Sequence, residues 1–157
     1  MKRIPLYLVL ALQVIGLISL YAYYSSEKSL PGYLLRTRPV DPRDLLRGDY
    51  VILSYDISML PEGSKSEDFP GGQAYVTLRP EGEFWKIGAV SAKSPETNEP
   101  VLKAQVKGRA LVYDIEKYFV PEGMGNPPLP ITVEIVIRTG GRAQIRQLYA
   151  DGQRWPW

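Results

Sequence analysis

The sequence predicts a mainly β protein: a single N-terminal transmembrane helix followed by a mostly antiparallel β-rich domain, built as a partly open barrel or a small sandwich. Three observations predict this. Residues 4–24 carry no charged side chain; the apolar residues beyond them recur with period two rather than 3.6; and fourteen Gly and fourteen Pro punctuate short runs.

The charge-free run comes first. Read as a helix at ~1.5 Å per residue, residues 4–24 make about 31 Å, against a bilayer core of ~30 Å. A cleavable signal peptide takes a shorter apolar region and small residues at a cleavage site, and "LYAYYSSEK" offers none. Tyr21, Tyr23 and Tyr24 instead form an interfacial aromatic belt. Pro5 falls in the first turn, where its missing N–H does no harm. Lys2 and Arg3 precede the helix, so the positive-inside rule holds residues 1–3 in the cytoplasm and sends residues 25–157 outside. The expected location is therefore the bacterial inner membrane, with the C-terminal domain in the periplasm.

Without Lys2 and Arg3 the nineteen basic residues fall to seventeen, equal to the seventeen acidic ones. A neutral domain without like-charge runs gives no electrostatic footprint for nucleic acid or for an anionic lipid patch. The chain has no Cys and no His. Disulfides, thiolate nucleophiles, Cys or His metal sites and a Ser-His-Asp triad are thereby excluded, and no cofactor or metal is expected.

Strands follow in order. "QAYVTLRPEGEFWKIGAV" reads as a hairpin turning at "RPEG". In "VLKAQVKGRALVY", Leu102, Ala104, Val106, Ala110 and Val112 alternate with Lys103, Gln105, Lys107 and Arg109, with Gly108 as a bulge or bend. "ITVEIVIR" sets Ile131, Val133, Ile135 and Ile137 on one face, and Gly140-Gly141 turns the chain into a second strand. Residues 60–72 and 121–130 read as Gly/Pro-rich loops.

"VDPRDLLRGDYVILSYDI", residues 40–57, is the most patterned stretch. Asp41 is an N-cap, Pro42 the first helical residue, and Asp44 an acid in the first turn. Gly48 ends that turn and a strand begins at Asp49. Along it Asp49, Val51, Leu53 and Tyr55 share one face, and Tyr50, Ile52 and Ser54 the other. The Arg47-Gly48-Asp49 triplet belongs to this turn-to-strand step and is no adhesion signal.

Here the chain resembles the GDYXXLXY family of bacterial membrane-anchored proteins. In "GDYVILSY" Gly48, Asp49, Tyr50, Leu53 and Tyr55 match every fixed position, and "RPVDPRDLLRGDY" and "IEKYFVPEGMG" also resemble the family. The resemblance implies a single anchor, an extracytoplasmic domain and genes often set beside those of multi-spanning membrane proteins. Where the family often carries a further acid after its "VPEG" glycine, this chain has "MGNPPLP", which leaves an acidic role there to Glu122.

Two chemistries compete. "LLRGDYVIL" resembles the "GD-x-V" strand of signal peptidases, but Ser58-Met59-Leu60-Pro61 follows that strand instead of preceding it, and Lys65, Lys86 and Lys93 lack a Ser-Lys context. Asp41, Asp49 and Glu122 form a carboxylate set for hydrolysis if "YFVPEG" folds back on the "GDY" strand, though Arg43 is equally a structural ion-pair partner. The reading preferred here is binding. Asp41, Arg43, Asp49, Tyr50, Tyr55, Tyr118 and Glu122 are its candidate residues, and a multi-spanning membrane protein is the expected partner. The terminal "DGQRWPW" is expected to pack, because tryptophan covers a large apolar area.

Overall fold

The computed structural model describes residues 6–28, 30–38, 50–120 and 127–155. Contacts divide the chain into two units, Met1–Pro31 and Gly32–Trp157. The first holds helix α1, Leu6–Lys28. Its described apolar side chains, from Tyr7 to Tyr21, are exposed around the whole circumference. Among the described residues no helix is long and apolar enough to cross a membrane. The stretch with described side chains, Tyr7 to Ala22, is shorter than the ~20 apolar residues a span takes. The span expected over residues 4–24 is therefore not established by the fold.

The second unit is mainly β and antiparallel throughout, arranged as a half-barrel. Its strands are β1 (Gly32–Arg36), β2 (Tyr50–Ile52), β3 (Gln73–Glu81), β4 (Phe84–Ser91), β5 (Val101–Lys107), β6 (Ala110–Val112), β7 (Lys117–Phe119), β8 (Ile131–Arg138), β9 (Arg142–Ala150) and β10 (Gln153–Trp155). One sheet runs β1-β8-β9-β10, a second runs β4-β3-β5-β6, and β2 and β7 make a two-stranded ribbon. All three feed one core. Leu35, Val133, Ile135 and Leu148 enter it from the first sheet, Val76, Leu78, Leu102 and Leu111 from the second, and Val51 from the ribbon.

The period-two patterns explain most of this, and glycine explains where they change. Leu102, Ala104 and Val106 are buried as expected, but the stretch through Tyr113 is not one strand. Gly108 adopts φ +61°, open to glycine at little cost, and turns the chain back so that Lys107 pairs with Ala110. The inward residue of β6 is consequently Leu111, and Ala110 and Val112 are only half-buried. The β3–β4 turn likewise is Gly82-Glu83, so that only the last residue of "RPEG" lies in it, with Glu81 paired to Phe84 and Pro80 inside the strand opposite Trp85. Proline is tolerated there because β5 pairs β3 only from Gln73 to Thr77, leaving Pro80 on an edge.

A bulge in β9 has a larger consequence. Glu134 pairs with Gln147 and Ile135 with Ile145, so Arg146 is the extra residue. One added residue reverses which side chains face inward. Before it Ala143 and Ile145 pack against the core; after it Leu148 and Ala150 are the buried ones.

Candidate functional site

The segment 50–60 joins the two sheets. Arg38 N–H donates to the Ser54 carbonyl at 2.8 Å and Asp56 N–H to the Arg36 carbonyl at 3.1 Å, tying the segment to the end of β1. On its other side Leu53 N–H donates to the Glu116 carbonyl at 2.8 Å. Farther along, Leu111 N–H donates to the Ser58 carbonyl and Leu60 N–H to the Arg109 carbonyl, both at 2.9 Å. Val51, Leu53 and Tyr55 point inward from this tie, and Tyr50, Ile52 and Ser54 are half-buried, as the alternation predicts.

Of the expected binding residues, Tyr50, Tyr55 and Tyr118 are described; Asp41, Arg43, Asp49 and Glu122 lie outside the described residues. Tyr55 is a correction. It is fully buried, its hydroxyl donates to the Ile115 carbonyl at 2.6 Å, and it offers no surface to a partner. Burial, with the charge of Glu116 behind it, pushes its phenol well above the usual tyrosine range.

Within the described residues, the strand that opens at Tyr50 meets the one that holds Tyr118 and Phe119: β2 pairs with β7 in the register Tyr50↔Phe119, Val51↔Tyr118, Ile52↔Lys117. Opposed residues share a face. Val51 and Tyr118 therefore face the core, where Tyr118 lies 6.5 Å from the buried ring of Trp155 and burial raises its phenol pKa. Trp155 is packed as expected, while residues 156–157 lie outside the described residues. The opposite face holds Tyr50, Phe119 and Lys117. The first two rings meet edge-on at 6.0 Å, and the Lys117 ammonium sits 5.1 Å from the Tyr50 ring centre. Phe119 is 73% exposed. A groove of about 390 Å³ runs beside this face, between β7 and the first half of β9, with Asp114 and Gln144 among its polar residues.

A second concavity, of about 580 Å³, lies on the outer face of the β1-β8-β9 sheet. Its floor carries Glu134 and its wall carries Phe84 and Trp85, from the tip of the β3–β4 hairpin. Arg146, displaced by the β9 bulge, donates to Glu134 Oε1 at 3.0 Å, and the Tyr149 hydroxyl donates to Oε2 at 2.9 Å. Burial first, then the bond to Glu134, raises the Tyr149 phenol pKa. β1 and β4 lie side by side here without pairing. Side chains span the gap instead: the Tyr33 and Trp85 rings stand edge-on at 5.0 Å, and the Arg36 guanidinium lies 4.5 Å over Phe84.

Of these cleft residues, the sequence points only to Tyr149, as one of the strand tyrosines that a recognition surface can draw on. The one further signal available is Glu134, a lone acid in the apolar alternation of "ITVEIVIR". Phe119 and Tyr118 are adjacent strand aromatics, and which of the two faces outward is fixed only by the pairing with β2. Ser58, weighed as a nucleophile, uses its Oγ to accept the Tyr55 N–H at 3.1 Å, and no lysine bonds it among the described residues.

No curated protein and no solved structure matches the chain. The GDYXXLXY protein family matches residues 13–148, from within α1 to Leu148 in β9, and the chain belongs to that family.

Proposed function

We propose that the chain is a membrane-anchored extracytoplasmic accessory protein whose β2–β7 ribbon docks on a multi-spanning membrane protein. The observation that carries this reading is Phe119. A phenylalanine left 73% exposed, braced on a paired strand by Tyr50, whose ring in turn carries the Lys117 ammonium, is an aromatic anchor held ready for a partner. It stands opposite the family's signature tyrosine, next to the two segments that most resemble the family.

Anchoring is part of the same proposal. A helix apolar on every side buries no single stripe as a surface helix does, and hydrocarbon is the solvent that suits it. Lys2 and Arg3 orient it with the amino terminus in the cytoplasm of a bacterial cell. Held at the bilayer, the ribbon meets a membrane partner at a raised effective concentration.

The test is purification of tagged full-length chain from its host in mild detergent, wild type beside Phe119→Ala, followed by mass spectrometry. A stoichiometric multi-spanning protein present with wild type and lost with the variant is expected. A chain that emerges alone in both preparations, or a partner retained by Phe119→Ala, refutes the proposal.

A further inference from the structure

We propose that the cleft on the outer face of the β1-β8-β9 sheet binds a neutral saccharide, independently of the ribbon. Its volume of about 580 Å³ falls within the range of small-molecule sites. Its lining includes the aromatic residues Phe84 and Trp85, both half-buried. Aromatic side chains beside fixed polar groups suit a ring that is apolar on its C–H face and ringed by hydroxyls.

The polar floor decides the ligand class. Arg146 and Tyr149 hold the Glu134 carboxylate through one oxygen each, so it cannot rotate freely, and each oxygen keeps a further lone pair for a donor. Gly32 lets it lie over β1: a Cβ at that position would stand 2.2 Å from Glu134 Oε1. Thr132, two residues before Glu134 on the same face, adds a hydroxyl.

Charge excludes the other ligand classes. The charged residues lining the cleft are Glu83 and Glu134, both carboxylates, and Arg146 beside it is already held by Glu134, so no cationic side chain lines the cleft to receive an anion. An organic cation meets a Glu134 carboxylate already paired with Arg146. A wholly apolar ligand strips water from the Glu134 network without replacing its hydrogen bonds. A neutral polyhydroxyl ring satisfies the network and covers the aromatic wall.

The test uses the full chain in a polyoxyethylene detergent, which contains no sugar. Chitotriose and maltotriose are titrated while tryptophan emission and saturation transfer to the sugar protons are followed, with tetramethylammonium as the cation probe. Saturable binding of at least one trisaccharide is expected, weakened roughly tenfold or more by Glu134→Gln, which removes a charge-assisted bond at constant shape. Phe84→Ala, at the hairpin tip, is expected to weaken it as well, with melting temperature showing that each variant is folded. Binding of neither trisaccharide, preference for tetramethylammonium, or trisaccharide binding indifferent to both folded variants overturns the proposal.

Discussion

Tyr55 and Tyr113 bond across to each other's loops. The Tyr55 hydroxyl donates to the Ile115 carbonyl at 2.6 Å, and the Tyr113 hydroxyl donates to the Ile57 carbonyl at 2.7 Å, so each acceptor lies two residues past the other tyrosine. The local geometry repeats too. Tyr55 N–H donates to Ser58 Oγ and Tyr113 N–H to Glu116 Oε1, in each case three residues on. Both rings are buried, so the exchange fastens the family's signature segment to the chain leaving β6.

Removing either hydroxyl leaves a buried carbonyl without its donor. Tyr55→Phe and Tyr113→Phe are each expected to cost about 1–3 kcal/mol in urea unfolding. Because the two bonds brace the same pair of loops, the double variant is expected to depart from additivity by ~0.5 kcal/mol or more. Two independent losses would show that the bonds do not act together.

The same pair sets an alkaline limit. An unfolded tyrosine ionises near ~10. Burial pushes Tyr55 and Tyr113 far above that, and the Glu116 charge adds to it. Above the unfolded value the unfolded chain releases protons that the folded chain retains, so stability is intact below pH ~10 and falls as pH rises. The slope is about 1.4 kcal/mol per pH unit for each tyrosine. Urea midpoints from pH 8 to 11 check it, and the double phenylalanine variant should lose most of the slope.

Gly140 and Gly141 differ in what surrounds them. Both have positive φ, near +80°, but a Cβ at Gly140 meets open space, whereas one at Gly141 stands 3.2 Å from Lys103 N and Val101 O of β5. The Gly141 carbonyl also accepts the Lys103 N–H at 2.7 Å, joining the β8–β9 turn to the second sheet. Gly140→Ala is expected to cost about 1 kcal/mol, from its backbone alone. Gly141→Ala should cost more, because the close approach to β5 must also open; thermal melting of the two variants ranks them.

The period-two faces were legible because each strand needs only its own residues to show which side is apolar. The inward run Val51, Leu53, Tyr55 and the alternation of Leu102, Ala104 and Val106 are of this kind. Strand count after Gly108 was not legible, since a glycine in an alternating run reads equally as a bulge or a turn until a partner strand fixes the register. The cleft was hidden for a related reason. Arg146 reaches Glu134 only because a bulge displaces it, and Phe84 and Trp85 come from a hairpin about 50 residues away in sequence. Tyr55 misled in the other direction: a tyrosine in a signature suggests recognition, but its hydroxyl here completes the hydrogen bonding of a buried carbonyl.

Val51 and Phe119 separate folding from docking on one small ribbon. Val51 is fully buried against the core, and shortening it removes packed methyl groups that the surroundings only partly refill; Val51→Ala is expected to destabilise by about 1–3 kcal/mol. Phe119 lies one register position away on the partner strand and faces outward. With most of its surface already in water, and an edge-on contact to Tyr50 as its only ring contact among the described residues, Phe119→Ala is expected to change stability by less than ~1 kcal/mol. Urea unfolding of the two variants under identical conditions checks the contrast. A large loss on Phe119→Ala would make the ring a structural brace and remove the aromatic anchor from the docking proposal; a neutral result leaves its exposure to be explained by what it meets outside the chain.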